Sequence, residues 1–285
     1  EGEEMLPEIV ELYIAMRDEG NYTRAAFLHR AAATIPGVYV PSLYDVTYNE
    51  DGTVRAYTPR YPDVPAVVTK RIVTDLDKGL YPEQVVMPYI ETVQDRITVE
   101  VGRGCIRGCR FCQAGMTYRP VREKTPDVIN CQARAIFDTS GYEELSLASL
   151  STSDHYDIEG VLSKMTGYTE GERINLALPS MRIDRFNKEL MEQLSKVRKS
   201  GLTFAPEAGT QRLRDVINKN LTREDLLHAC RIAFDGGWNA VKLYFMIGLP
   251  TETEEDLDGI AELARAVAYE WKQSKAERNR GVRVT

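Results

Sequence analysis

Three of the five cysteines of this 285-residue chain lie in one short segment. Cys105, Cys109 and Cys112 occur in the run Gly102-Arg-Gly-Cys-Ile-Arg-Gly-Cys-Arg-Phe-Cys112, which has C-x3-C-x2-C spacing and several glycines. Glycine lets the backbone bend where a side chain would obstruct it, so such a loop can direct three thiolates to a single centre. The spacing predicts a metal site with three protein ligands and one open position.

The missing fourth ligand separates the interpretations of this segment. Structural zinc and closed iron-sulfur sites take four protein ligands. Here Cys131 lies in a segment predicted to be helical, and no histidine occurs between Cys112 and His155. A three-thiolate 4Fe-4S cluster fits the spacing best, while zinc with a recruited fourth ligand and disulfide pairing are the alternatives.

The cysteine segment, with Phe111 directly before its last cysteine, resembles the signature of the radical S-adenosylmethionine (SAM) superfamily. The resemblance implies that Cys105, Cys109 and Cys112 bind a 4Fe-4S cluster. It also implies that SAM chelates the unligated iron and that Phe111 lies near the adenine. The implied reaction is reductive cleavage of SAM to methionine and a 5′-deoxyadenosyl radical, which abstracts hydrogen from a substrate.

The composition is that of an ordinary globular protein, with 43% hydrophobic and 28% charged residues. No apolar run approaches the roughly 20 residues of a membrane-spanning helix, and no secretory signal opens the sequence. An odd number of cysteines favours a reducing compartment, so we predict a cytoplasmic protein without membrane contact. The net charge of −7 argues against a nucleic-acid surface along the whole chain, although the cysteine segment itself is basic.

From residue 97 onward, strand-like and helix-like segments alternate along the sequence. Predicted strands cover residues 97–101, 145–150, 174–178, 202–205, 241–247 and 282–285. Regular alternation implies parallel strands joined by right-handed crossovers. The predicted fold is therefore α/β, a partial (β/α) TIM-like barrel that forms the radical SAM core, preceded by a smaller α+β region.

In such barrels the chemistry lies at the carboxyl ends of the strands. Ser149 and Ser151 follow the second strand, where the superfamily commonly has a Gly-Gly-Glu segment that meets the SAM amino group. This sequence departs from that pattern, and a serine-rich helix N-cap is the alternative. Ser180 and Arg182 follow the third strand and are candidates for binding a carboxylate, with a solvated arginine as the alternative.

The fourth strand leads into Glu207-Ala-Gly209, which resembles the Glu-x-Gly form of the superfamily's ribose motif. The resemblance implies that Glu207 accepts hydrogen bonds from the SAM ribose and that Lys219 pairs with the SAM carboxylate; a solvated Lys219 is the alternative. The fifth strand ends near Ile247 and Gly248 in a segment similar to Gly-Leu-Pro-x-Glu-Thr. There the resemblance implies backbone contact with adenine, and a structural turn is the alternative.

The resemblance divides the chain into three parts. Residues 1–40 resemble the C-terminal end of a cobalamin-binding-like domain, 41–95 form a linker with a β-hairpin, and 96–285 form a radical SAM core truncated at its C-terminal end. The cobalamin ligand motif Asp-x-His-x-x-Gly is absent, so the sequence gives no support for cobalamin binding.

The implied partners are a reductant protein such as flavodoxin or ferredoxin and a substrate that is either a small molecule or RNA. No catalytic residue beyond the cofactor contacts is predicted. The rival interpretation is a zinc- or cluster-containing RNA-binding module that uses the basic cysteine segment, and metal content distinguishes the two.

Overall fold

The computed structural model describes residues 1–93, 95–172, 174–177, 182–186, 188, 191–192, 202–274 and 281–285. The chain divides into two compact units, Glu1–Leu80 and Tyr81–Thr285. Every helix in the described ranges is too short or too polar to span a membrane.

The first unit contains two helices and the predicted β-hairpin. Its elements are α1 (Gly2–Asp18), α2 (Arg24–Thr34), β1 (Tyr44–Tyr48) and β2 (Val54–Pro59). The antiparallel strands β1 and β2 are joined by a turn in which Asn49 N–H donates to the Thr53 carbonyl at 2.8 Å. A small apolar core comprises Ala32, Val40, Leu43, Tyr44 and Val64. The assignment of residues 1–40 to a cobalamin-binding-like domain stays a prediction.

The second unit is built on parallel strands. They are β3 (Ile97–Glu100), β6 (Glu144–Ala148), β7 (Asn175–Ala177), β8 (Leu202–Glu207), β9 (Ala240–Phe245) and β10 (Arg283–Val284). Within the described residues they form two parallel sheets, β3-β6-β7 and β8-β9-β10, whose strand order follows the chain. The predicted α/β architecture and partial barrel are confirmed.

Helices connect these strands. They are α3 (Ala114–Thr117), α4 (Pro126–Ser140), α5 (Ile158–Glu172), α6 (Gln211–Val216), α7 (Arg223–Asp235) and α8 (Glu254–Gln273). Thr222 and Thr253 begin α7 and α8 with capping boxes, in which a threonine and an aspartate three residues later satisfy each other's backbone N–H groups. After β7 the chain forms a 3-10 turn at Ile183–Arg185.

Apolar side chains from strands and helices form the main core of the second unit. In β3, Ile97 and Val99 are buried and alternate with more exposed neighbours, as the two-residue period of a strand requires. They pack with Leu145 and Leu147 of β6 and with α4 residues such as Ile129. Because both sheets are parallel, the loops after their strands all lie at carboxyl strand ends.

Two short strands that the sequence did not predict close the cysteine loop (residues 104–121). Gly102–Arg103 (β4) pairs antiparallel with Arg122–Glu123 (β5). Gly104, with φ of +86°, follows β4, and a Cβ there would lie 2.8 Å from the carbonyl oxygens of both Tyr118 and Pro120. Only glycine fits this position, because both obstructing atoms belong to the backbone.

Candidate functional site

The three cysteines of the cysteine loop are partly buried and carry free thiols. Gly115 N–H donates to Cys112 Sγ at 3.3 Å. Among the described residues, no three His, Cys, Asp or Glu side chains surround a point where one metal ion would sit. This does not test a 4Fe-4S cluster, because its three cysteines each bind a different iron atom. The other two thiols lie elsewhere, Cys131 exposed on α4 and Cys230 buried in α7.

Charges from two other loops act on the central cysteine. Burial raises the pKa of the Cys109 thiol, while the positive charges of Lys219 and Arg182 oppose this shift. Neighbouring Cys105 and Cys112 add to the rise, since a second thiolate disfavours the first. The cysteine loop therefore lies within electrostatic reach of the loops after β7 and β8.

An arginine in the cysteine loop binds the loop after β6. Arg107 Nε donates to Asp154 Oδ2 at 2.8 Å, and its Nη2 donates to the other oxygen of the same carboxylate. Its Nη1 lies 3.2 Å from Asp184 Oδ2, in the loop after β7. The Asp154 side chain is only 9% exposed. A bidentate arginine-carboxylate pair of this kind fixes both distance and orientation.

Asp154 is held in its ionised form. Burial alone would raise its pKa, but hydrogen bonds from Arg107 and from the Ser151 hydroxyl hold the pKa of this carboxyl below its ordinary value. The Ser151 Oγ to Asp154 Oδ2 distance is 2.7 Å. The buried carboxylate is thus matched by donors, as a buried charge must be.

Ser149, Ser151 and Arg182 were predicted as site residues after β6 and β7, and all three take part in the hydrogen bonds around Asp154 and Asp184. Ser149 Oγ lies 3.0 Å from Thr152 Oγ1. Arg182 is not solvated: its Nε donates to Asp184 Oδ1 at 2.8 Å, and its backbone N–H donates to Ser153 Oγ at 2.9 Å. Ser180 lies outside the described residues.

Glu207 ends β8 in an unusual backbone conformation. Its φ is +68°, the left-handed region, and the β8-β9 register shifts between Phe204 and Glu207. Met246 N–H donates to the Glu207 carbonyl at 2.8 Å. A non-glycine residue in this region carries about 1 to 3 kcal/mol of strain, and such strain is concentrated at functional sites.

Lys219 binds Glu207 directly. Its Nζ donates to Glu207 Oε1 at 3.0 Å, and the two side chains are 14% and 15% exposed. The same ammonium lies 6.0 Å from the centre of the Phe111 ring, at the outer limit of a cation-π contact. The structure therefore brings together three predicted site residues, and Lys219 is not the solvated surface residue of the alternative interpretation.

The end of β9 is more open. The Ile247 side chain is exposed, and Gly248, with φ of +89°, donates its N–H to Glu252 Oε2 at 2.7 Å. This segment forms a turn into α8, and its predicted contact with adenine stays a prediction.

The loop after α6 also binds the cysteine loop, through residues other than the Arg107 that contacts Asp154. Asn218 Nδ2 donates to the Gly108 carbonyl at 2.9 Å. Arg110 N–H donates to the Ile217 carbonyl, also at 2.9 Å. The cysteine loop is thus bound through Arg107 to the β6 loop and through these contacts to the segment after β8.

Sequence reasoning missed the residues that make these connections. Arg107 is one of several cations in the basic cysteine segment, and Asp154 follows a serine-rich stretch, so neither residue type nor position singles them out. For Asn218, the one signal in the sequence is that it directly precedes the candidate residue Lys219. Pairs separated by 47 or 110 positions along the chain leave no periodic pattern.

Known proteins resemble this chain in sequence and fold. Residues 99–264 match the family described as the radical SAM superfamily. An uncharacterized protein of Methanocaldococcus jannaschii is 32% identical over 218 residues, which cover 73% of this chain and 47% of that protein. The tRNA-2-methylthio-N(6)-dimethylallyladenosine synthase of Bdellovibrio bacteriovorus is 24% identical over 186 residues, which cover 60% of this chain and 39% of the synthase.

Among solved structures, the cobalamin-dependent S-adenosylmethionine radical enzyme OxsB matches with a TM-score of 0.58 at 15% sequence identity. The match covers 93% of this chain and 35% of OxsB, and at this identity it shows the fold alone. The chain spans about half the length of the curated relatives it matches, or less.

Proposed function

The chain belongs to the radical SAM superfamily, whose members are enzymes that use a 4Fe-4S cluster and SAM, and we propose that Cys105, Cys109 and Cys112 hold that cluster here. The residues present fit the group. Three free, partly buried thiols lie on one loop, which is bound to Asp154 through Arg107 and to Asn218 through Gly108. The Gly115 N–H already donates to the Cys112 sulfur. Hydrogen bonds of this type to cluster sulfurs tune reduction potentials.

When bound, the cluster and SAM would supply reductive cleavage of the sulfonium to methionine and a 5′-deoxyadenosyl radical. The role of the protein is to bind, orient and exclude water. Glu207 would accept hydrogen bonds from the ribose hydroxyls, and Lys219 would bind the SAM carboxylate. Phe111, Ile247 and Gly248 would border the adenine.

Ser149, Ser151, Ser180 and Arg182 complete the proposed SAM contacts. Ser151 donates its hydroxyl proton to Asp154, so its oxygen is left to accept a hydrogen bond from an ammonium group. The buried Asp154 carboxylate behind it would strengthen that acceptor. This arrangement offers an ammonium an acceptor where the superfamily's Gly-Gly-Glu segment is missing.

The observation that carries the proposal is the position of Lys219. One ammonium contacts Glu207, lies near Phe111 and acts electrostatically on Cys109. These three residues come from the cysteine loop and from the end of β8, which are far apart in sequence. Their convergence at carboxyl strand ends is the arrangement expected of a ligand site in a parallel barrel.

Alanine variants of the cysteines test the cluster assignment. We expect Cys105→Ala, Cys109→Ala and Cys112→Ala each to lose the cluster, whereas Cys131→Ala, an exposed thiol on α4, retains it. The measurement is iron and sulfide per chain after anaerobic reconstitution, with about four of each expected in the wild type. Stoichiometric zinc without iron would refute the proposal and favour the RNA-binding module.

Glu207→Ala tests the SAM pocket separately from the cluster. Losing two hydrogen bonds to a charged acceptor should weaken SAM binding by about 2 to 4 kcal/mol, or roughly 30- to 700-fold, with iron content unchanged. Glu262→Ala, an exposed glutamate on α8, is the matched control. Calorimetric titration of SAM into clustered protein gives the affinities, and equal values for the wild type and Glu207→Ala would remove Glu207 from the pocket.

We further propose an acidic electron-transfer protein, such as flavodoxin or ferredoxin, as reductant. Residues 102–124 carry six basic side chains and one acidic side chain in a chain with net charge −7, and Arg110 and Arg119 are the exposed cations among them. Ile106 and Met116 of the same loop are exposed. Charge-steered association weakens with salt, so the rate of cluster reduction by flavodoxin should fall steeply between low and high ionic strength.

A further inference from the structure

One arginine beside the proposed SAM pocket is buried without a carboxylate partner. Arg214, in α6, is 2% exposed and is among the largest fully buried side chains. Among the described residues it makes no ion pair, and burial lowers the pKa of its guanidinium. An unpaired buried charge is destabilising unless its hydrogen bonds are satisfied, so the acceptors of this group are informative.

The guanidinium donates to two separate segments of main chain. Nη1 donates to the Ala208 carbonyl at 2.9 Å and to the Gly209 carbonyl at 3.2 Å. Nε donates to the Leu221 carbonyl at 3.2 Å. Nη2 donates to Gln211 Oε1 at 3.1 Å. The rigid fork of arginine fixes these acceptors relative to one another in a way that a lysine ammonium does not.

Each of these segments carries one member of the Glu207–Lys219 pair. Ala208 and Gly209 directly follow Glu207, whose left-handed backbone is strained. Leu221 lies two residues after Lys219, and Lys219 N–H donates to the backbone carbonyl of Arg214 at 2.9 Å. The guanidinium therefore bridges the backbone on both sides of the 3.0 Å ion pair.

The bridged turn also reaches the cysteine loop. Between α6 and Leu221, Asn218 and Asn220 take left-handed conformations, with φ of +54° and +49°. Asn218 binds the Gly108 carbonyl, next to Cys109. A displacement of this turn would move Lys219 relative to Glu207 and the cysteines together.

We infer that Arg214 is a positioning residue, which sets the placement of Glu207 and Lys219 for SAM without touching SAM itself. This inference rests on the proposed function. A merely structural arginine would change stability when replaced, but its replacement would not act on SAM binding through Glu207. The distinction can be measured as non-additivity between two substitutions.

The test uses Arg214→Lys, which keeps the charge and loses the fork. In protein reconstituted with its cluster, we expect this variant to keep its iron and to bind SAM at least tenfold more weakly than the wild type. The double variant that combines Arg214→Lys with Glu207→Ala should then lose clearly less affinity than the two single losses multiplied together. Arg134→Lys, on the surface of α4, is the matched control and should bind SAM like the wild type.

The outcomes separate the two proposals. Absence of SAM binding by clustered wild-type protein would overturn the proposed function itself. Wild-type binding with unchanged affinity in Arg214→Lys, or losses that multiply with Glu207→Ala, would overturn the positioning role. Should Arg214→Lys not fold, Gln211→Leu is the second variant. It removes the Oε1 acceptor of the guanidinium and the Nε2 donor to Asp215 and to the Leu221 carbonyl, so it loosens the same bridge. A two- to fivefold weaker affinity is then expected, and an unchanged one would overturn the inference.

Discussion

The glycine of the Glu-x-Gly segment should be required for packing, and replacing it tests how β8 meets α8. A Cβ built on Gly209 would lie 2.4 Å from the Asp256 carbonyl oxygen and from Ile260 N, and 2.5 Å from the Gly259 carbonyl carbon. Ordinary contacts begin near 3.4 Å. All three atoms belong to the α8 backbone, so no side chain can rotate away, and the helix or the strand end must move by about 1 Å.

Overpacking of this kind costs about 1 to 3 kcal/mol, and we expect Gly209→Ala near the upper value because only backbone can yield. For a domain of this size, each kcal/mol lowers the melting temperature by about 2 to 4 °C. The expected fall is therefore about 6 to 12 °C. SAM affinity should fall as well, because Glu207 lies two residues before the displaced position.

The assay is thermal unfolding followed by circular dichroism, under anaerobic conditions and without added iron. Gly167→Ala is the matched control: Gly167 lies inside α5 and a Cβ there has nothing within 4 Å. Alanine should stabilise that helix by about 0.5 to 1 kcal/mol. This account of the packing would be refuted if Gly209→Ala melted within about 2 °C of the wild type, or if Gly167→Ala melted at as low a temperature as Gly209→Ala.

Three further predictions concern polar contacts. Arg107→Gln and Asp154→Asn should each reduce iron retention after reconstitution, and the double variant should lose no more than the worse single one; additive losses would contradict a shared contact. Tyr168 has a buried hydroxyl with no hydrogen-bond partner in the described part of the chain, so Tyr168→Phe should raise the free energy of unfolding in urea by about 1 kcal/mol, and a decrease would indicate a missed partner. Hydrogen bonds, the strongest from the Thr210 hydroxyl, hold the pKa of buried Asp256 far below its ordinary value. Ionised Asp256 therefore stabilises the fold at pH values above its unfolded pKa of about 3.9. That stabilisation is lost as the pH falls from this value toward the pKa of the folded state. The stability gap between the wild type and Asp256→Asn should therefore narrow from pH 6 to pH 3, and a constant gap would show that ionisation is not its source.

The sequence predicts the parallel strands and the helix starts because each rests on local information. Buried strands show apolar runs of limited length, and a threonine followed three residues later by aspartate, as at Thr222 and Thr253, is typical of a helix start. By contrast, β4 and β5 have two residues each, which is too short for any period to appear. They follow only from the closure of the cysteine loop.

The site was predictable as a set of residues but not as a geometry. Glu207 lies in a segment that resembles a known motif, the same resemblance points to Lys219, and the two side chains do meet. The left-handed backbone of Glu207 cannot be read from a residue type that rarely adopts it. Arg214 was overlooked because an arginine on a short helix is normally solvated, and only the structure shows its burial and its carbonyl acceptors.

The fold and the site are therefore held by different forces, with consequences for how each responds to substitution. The core is stabilised by many apolar contacts, which are individually weak and not directional. At the strand ends a small separate apolar cluster contains Ala208, Leu213, Ile217 and Leu249. The cysteine loop is joined to the neighbouring segments by a few directional bonds from Arg107 and Asn218, and Arg214 bridges the segments on both sides of Glu207 and Lys219. Substitution in the core should lower stability while leaving the site geometry of the folded fraction intact. Substitution at these three residues should change cofactor binding by more than it changes stability, and that contrast is the mark of a site assembled by polar contacts on a rigid apolar scaffold.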